Sequence, residues 1–260
     1  MKISILSENV AGENFEYEHG LSYLIEIDGE KILFDSGASD IFLKNAELLG
    51  VDIHKDVQTV VLSHGHWDHS GGLKHLKNKK LITHPDSFKK RLRKNDNSFI
   101  GNGFSKEQIQ NNFKLQETST PVQITKNLFF LGQIPRLNDF ESQNTPFKFE
   151  DNSDDFVNDD SALAAISNNK LVIITGCSHS GICNICEYAK KVSGISEIET
   201  VIGGFHLRAK NRQTFETINY LKKNEVSNVL PSHCTSFSVI DLFRETFEIR
   251  QVKTGMTFQF

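Results

Sequence analysis

A chain of 260 residues, 38% hydrophobic, is long enough to bury a large core, and one α/β domain spanning 1–260 accounts for that length. The formal net charge of −4, with 24% charged residues, shows no basic excess, so neither nucleic acid nor a membrane surface is an expected partner. MKISILSENV has too short an apolar run for a secretion signal, no segment nears the ~18 apolar residues of a membrane span, and the cysteines at 177, 183, 186 and 234 cluster late, which together point to a reducing cytoplasm.

SYLIEI alternates up to an Asp28-Gly29 turn, KILF follows, and DSG ends that strand at Gly37, predicting a hairpin that feeds a loop. DIFLKNAELL, residues 40–49, places Ile41, Phe42, Leu48 and Leu49 on a predicted helix, with Ser39 or Asp40 as N-cap and Gly50 as stop. VQTVVL is a buried-strand run that halts at SHGHWDH. The same arrangement returns where KLVIIT enters GCSHSG, ETVI enters GGFHL, and NVL enters PSHCT. Strands of one sheet that end on the same side would gather these His-bearing loops at one edge.

Helices are expected near 184–193, 211–223 and 237–247, and RQVKTGMTFQF closes the chain with a strand. The pattern predicts two sheets between helices, each half of the chain supplying one. Residues from about 84 to 160, with GNGF, IPRLNDF and the acidic run DNSDDFVNDD, read as an elaborated loop region over the site, either a lid or a solvated insertion. Nine Lys or Arg residues between Lys74 and Lys94, opposed only by Asp86, read first as a solvated helix face and second as a phosphate-steering patch.

The chemistry concentrates in HxHxDH, where His64, His66, Asp68 and His69 put four ligand-type side chains within six positions. Such a loop can aim imidazoles at one divalent ion while the Asp and third His turn toward another. Gly65 would give the backbone freedom to do so. His179 and His233 add donors from the second half. Cys177, two residues before His179, is either a bridging thiolate or a small buried residue. His206 admits ligation, substrate contact or proton donation, with an outer catalytic role preferred. Asp35 suits an orienting carboxylate, Cys183 and Cys186 suit helix packing, and Asp159 and Asp160 suit strand entry or capping.

FDSG, SHGHWDHSGG and the late PSHC resemble the metallo-β-lactamase superfamily over nearly the whole chain. TGCSHSGICNI, GGFHL and PSHCT narrow the resemblance to proteins similar to 7,8-dihydropterin-6-methyl-4-(β-D-ribofuranosyl)aminobenzene-5′-phosphate synthase. The resemblance implies an αββα four-layer sandwich, with His64 and His66 on one metal, Asp68 and His69 on the other, and His233 as the last ligand. Two departures stand out: no PGHT-like loop lies between 70 and 170, where IPR at 134–136 takes its place, and Cys177 stands where the superfamily's bridging aspartate is usual. His179 is the candidate that compensates for the missing loop.

The implied function is a metal-dependent hydrolase of the phosphodiesterase kind, directing a metal-activated water at a phosphate ester or phosphodiester of a small, pterin-like metabolite. Asp68 would orient the water and His206 would donate a proton. Two divalent ions are expected, zinc first, with iron or manganese as alternatives; a thiolate favours zinc or iron over manganese. Competing readings are a lactone or thioester hydrolase, an iron-dependent redox enzyme of the same fold, and a non-catalytic metal-bearing ligand sensor. Oligomeric state is left open.

Overall fold

A computed structural model describes residues 1–260. In chain order the strands are β1 (Lys2–Ser7), β2 (Ser22–Ile27), β3 (Glu30–Phe34), β4 (Thr59–Val61), β5 (Lys79–Thr83), β6 (Arg91–Arg93), β7 (Phe113–Glu117) and β8 (Val122–Thr125). They continue as β9 (Leu128–Phe130), β10 (Phe147–Phe149), β11 (Ala162–Ser167), β12 (Lys170–Thr175), β13 (Ile198–Gly204), β14 (Asn228–Ser232) and β15 (Thr257–Gln259). The helices are α1 (Ile41–Leu48), α2 (Ile53–Asp56), α3 (Trp67–Ser70), α4 (Lys106–Asn112), α5 (Ile182–Ser193), α6 (Arg212–Lys223) and α7 (Phe237–Arg244). None is long and apolar enough to cross a membrane.

Two sheets carry the fold, one ordered β15-β1-β2-β3-β4-β5-β7 and the other β14-β13-β12-β11-β9-β8. Strand alternation sorts their side chains into separate cores. On β12, Val172 and Ile174 point between the sheets, while Leu171 and Ile173 point outward against the helices. There α5 presents Ile182, Ile185, Cys186 and Ala189, an i, i+3, i+4, i+7 stripe, beside Ile218 and Leu221 of α6 and Val239 and Phe243 of α7. On β3, Ile32 and Phe34 face the central core and Leu33 faces Phe42 and Ala46 of α1. Three cores separating helix, sheet, sheet and helix are the expected αββα sandwich. Each sheet also contains a parallel set, β3-β4-β5-β7 in one and β12-β13-β14 in the other, and the loops leaving these strands converge on one edge.

Four expectations need correction. The sheets do not divide cleanly between the halves, because β15 returns to pair with β1. Helix α1 buries Phe42, Asn45 and Ala46 rather than Leu48, which is 61% exposed. Leu48 lies six residues on from Phe42, about two-thirds of a turn round the helix, and the Asn45 amide is buried because it donates to the Leu6 and Glu16 carbonyls. Residues 84–160 are mostly loop and turn but not loop throughout, since β7 extends the first sheet and β8 and β9 extend the second. The basic run is not a helix face either. Lys79 is buried, donating to the Ile53, His54 and Val57 carbonyls that end α2, and Arg91 is buried against two aspartates.

Candidate metal centre

The first donor cluster joins the two halves of the chain. β4 runs into the loop carrying His64 and His66, and β12 runs into the loop carrying His179. His64 Nε2 lies 3.0 Å from His66 Nδ1, and the His179 ring centroid is 4.9 Å from each of the other two rings. One ligand nitrogen from each falls within 4.8 Å of the other two. Nε2 of both His66 and His179 is buried without a hydrogen-bond partner. Such orphaned atoms are costly to bury unless something completes them.

The second cluster lies beside it. His69 Nε2 is 3.0 Å from His233 Nε2 and 3.2 Å from Cys177 Sγ. Asp68 Oδ2 is 3.4 Å from His233 Nε2 and 3.2 Å from His19 Nε2. The donors of His64, His69 and Cys177, and those of His19, Asp68 and His233, each keep within 4.8 Å. Donors held at about 2.0–2.3 Å from one zinc ion stand roughly 3.3–4 Å apart, so the spacing and the nitrogen, oxygen and sulfur donor set fit divalent cations.

Three of the imidazoles are oriented through their other nitrogen. His64 Nδ1 is 2.9 Å from Ser63 Oγ, His69 Nδ1 is 2.7 Å from Asp35 Oδ2, and His233 Nδ1 is 3.1 Å from Asn9 Oδ1. Asp35 also accepts from the Ser63 amide and hydroxyl, so one carboxylate steadies both clusters. Asp159 accepts from Gly65 N and from the Arg91 guanidinium, which pins the His64–His66 turn, while Asp160 accepts from Ser180 N beside His179. Gly65 is required by close approach and not by a left-handed backbone, because a Cβ there would overlap the Ser87 carbonyl. Left-handed backbone occurs instead at Asp35, Ser178, His206 and His233, with φ between +50° and +60°. Strain of this kind is held at functional sites by the surrounding structure.

Burial first, and then neighbouring histidines, pushes His64 well below the usual imidazole range. Burial and then Arg91 push His66 down to about 3, and burial with His206 and His66 lowers His179. All three are therefore neutral bases at neutral pH, as ligands must be. Burial opposes a proton on His69 too, but Asp35 and Asp68 outweigh it and hold the group up to about 9. Burial would raise Asp68, yet His69, His19 and His233 keep it well below the ordinary carboxylate value.

A model of the metallo-β-lactamase superfamily matches residues 17–84, which include the HxHxDH loop. The chain is 37% identical over 245 residues to an uncharacterized protein of Methanocaldococcus jannaschii, covering 92% of each. It is 32% identical over 271 residues to the 7,8-dihydropterin-6-methyl-4-(β-D-ribofuranosyl)-aminobenzene-5′-phosphate synthase of the same organism, covering 95% of this chain and 92% of that one. The chain belongs to the metallo-β-lactamase superfamily. Its fold superposes on Tm1679, described as a metal-dependent hydrolase of the β-lactamase superfamily, with a TM-score of 0.89 at 30% identity over 100% of this chain and 99% of the other. His179, the residue expected to compensate for the absent PGHT-like loop, is delivered by the second sheet to within 4.8 Å of His64 and His66.

Sequence reasoning left several members of the site unassigned. His19 comes from a strandless loop, stacks on His233 at 5.3 Å, and carries no pattern that could have flagged it. Cys234 stands beside His233 in the PSHCT motif, where adjacency was the available signal. Above the donors opens a narrow cleft of about 40 Å³ walled by His19, Trp67, Arg93, Phe147, His206 and Arg208. Arg93 and Arg208 are exposed and take no part in the ion pairs made by Arg91, Arg212 and Arg244. A larger cavity of about 310 Å³ adjoins the cleft and shares Phe147, His179 and His206 with it.

Proposed function

We propose that the protein is a metal-dependent hydrolase of a phosphate ester or phosphodiester of a small metabolite. The observation that carries the reading is the pairing of two donor clusters with two unpaired guanidinium groups, Arg93 and Arg208, on the same cleft. Guanidinium groups in that position suit a phosphoryl anion better than a neutral ester. The synthase relative, named for a pterin compound bearing a 5′-phosphate, supports a phosphorylated and pterin-like substrate.

His64, His66 and His179 would hold one ion, and Asp68, His69 and His233 the other, with Cys177 between them. Divalent cations there, zinc first, would supply Lewis-acid activation of a water molecule and of a phosphoryl oxygen. The remaining steps belong to side chains. Asp68 orients the attacking water, Arg93 and Arg208 hold the non-bridging phosphoryl oxygens, and His206 on the cleft wall donates a proton to the departing alkoxide. Phe147, packed 4.9 Å from the His66 ring, keeps bulk water from that side.

The test is turnover of bis-p-nitrophenyl phosphate against a panel of lactones by metal-loaded protein. Diester hydrolysis should dominate, and Arg93→Ala and Arg208→Ala should each raise KM for the diester about tenfold, as expected for losing one charge-assisted hydrogen bond. Preferential lactone turnover, or inactivity on both, would reject the phosphoryl reading. A second reading, synthesis on a phosphorylated pterin, is favoured by the 32% identity to the synthase and would be recognised by product formation without net hydrolysis.

A further inference from the structure

The parallel strands β12, β13 and β14 are neighbours in one sheet. Each delivers a soft or borderline donor two residues beyond its last residue: Cys177 after Thr175, His206 after Gly204 and Cys234 after Ser232. The pairing sets Thr175 opposite Gly203 and Gly204 opposite Ser232, so the three strand ends lie side by side at one edge. The Cys177 and Cys234 sulfurs and one His206 nitrogen accordingly lie within 4.8 Å of one another. Gly204 keeps the space between them open, since a Cβ there would come 2.7 Å from Cys234 Sγ and 3.2 Å from Cys177 Cα.

These groups are poorly satisfied by the protein itself. The two cysteines are 4% and 8% exposed, and their sulfur contacts are His69 Nε2 at 3.2 Å from Cys177 Sγ, a 3.3 Å hydrogen bond from His206 N to Cys234 Sγ and a 3.4 Å one from Cys234 Sγ to the Cys177 carbonyl. His206 Nδ1 is buried with no partner. All three residues nevertheless border the cleft, so an ion can reach them. Two sulfurs and one imidazole with a side open to solvent make the Cys2His donor set that zinc accepts with a fourth position free.

We propose that Cys177, His206 and Cys234 form a further cation site, selective for thiophilic divalent ions such as Zn²⁺ or Cd²⁺ and distinct from the histidine and carboxylate donors of the hydrolytic centre. Cys177 is the member common to this trio and the His64–His69–Cys177 trio, so the two sites adjoin. Binding releases the thiol protons to solvent and leaves both sulfurs as thiolates. Ligation also withdraws His206 from the proton-donating role proposed for it above, so the site's occupancy opposes that step.

The test uses the full-length protein loaded with Co²⁺, read by sulfur-to-cobalt charge transfer, and with Zn²⁺, read by X-ray absorption. Wild type should show the charge-transfer band and sulfur neighbours at about 2.3 Å from zinc. Cys234→Ser should lose one bound ion per chain and most of the band, while Cys183→Ser, on the packed face of α5, should change neither. Nitrogen and oxygen neighbours alone in fully loaded wild type would overturn the proposal, and this measurement needs no variant to fold. A band unchanged in Cys234→Ser but abolished in Cys177→Ser would also overturn it, by assigning the sulfur to a bridge in the hydrolytic centre. Neither readout depends on hydrolysis, so the functional reading can fail or stand separately.

Discussion

The carboxylate of Asp35 and the imidazole of His69 meet at 2.7 Å with neither side chain exposed. The same carboxylate accepts from the amide and hydroxyl of Ser63, whose hydroxyl in turn contacts His64 Nδ1. One residue at the end of β3 therefore sets the orientation of a donor in each cluster. Asp35→Ala should weaken metal affinity about 10- to 100-fold while leaving every proposed ligand in place. Competition against a calibrated chelator measures this; unchanged affinity in a folded variant would remove Asp35 from the orienting role.

Metal content should report the ligand sets directly. Wild type purified without chelators should carry at least two divalent ions per chain, and His64→Ala and His179→Ala should each lose about one, because each removes one of three nitrogen donors. Cys186→Ser, buried in the outer core with α5, should lose none. Plasma mass spectrometry on the four proteins decides the matter, and full metal content in His179→Ala would exclude it as a ligand.

The metal-free protein should be most stable near pH 6.5 and weaken on both sides. His66 is lowered from 6.5 to about 3, with His64 and His179 displaced in the same direction, so the unfolded chain binds more protons and stability is lost as pH falls from about 6.5 toward 3. His69 has the opposite sign. Raised from 6.5 to about 9, it contributes stability that is fully present below 6.5 and lost as pH rises through 9. Scanning calorimetry in chelator across this range should give a peaked profile, and saturating Zn²⁺ should raise and flatten it; a profile rising monotonically with pH would contradict the assigned signs.

Arg91 should be the most damaging basic residue to remove. Its guanidinium is fully buried, 2.9 Å from Asp159 and 3.4 Å from Asp155, and Asp159 also holds Gly65 N between the first two histidines. Removing one member of a buried pair leaves its partner uncompensated, at a cost of about 3–5 kcal/mol. Urea unfolding of Arg91→Ala should show a loss of that order, with Lys94→Ala, whose Asp154 partner is exposed, changing stability by less than about 1 kcal/mol. Equal effects in both would mean that the pair does not brace the loop.

Several parts of this molecule were legible in the amino-acid order because they depend on local periodicity or on a short run of donors. The alternation of SYLIEI and the apolar run KLVIIT specify strands, and the stripe along α5 specifies its buried face, since each follows the repeat of its own backbone. HxHxDH is equally local, with four donors on one loop. The repeated passage from strand to His-bearing loop also foretold that the second half would contribute to the same edge.

Tertiary structure decided what depends on partners distant in sequence. The same kind of basic residue is a buried loop brace at Arg91, where Asp155 and Asp159 close over it, and a cleft-wall guanidinium at Arg93, two residues further along β6. His19 reaches Asp68 from a loop with no repeat to betray it. Cys177, His206 and Cys234, spread over 58 positions, become neighbours because three adjacent parallel strands end at the same edge. Local pattern fixes which residues can be strand or loop, but the packing of the two sheets chooses which loop ends meet, and a metal centre is made of those meetings.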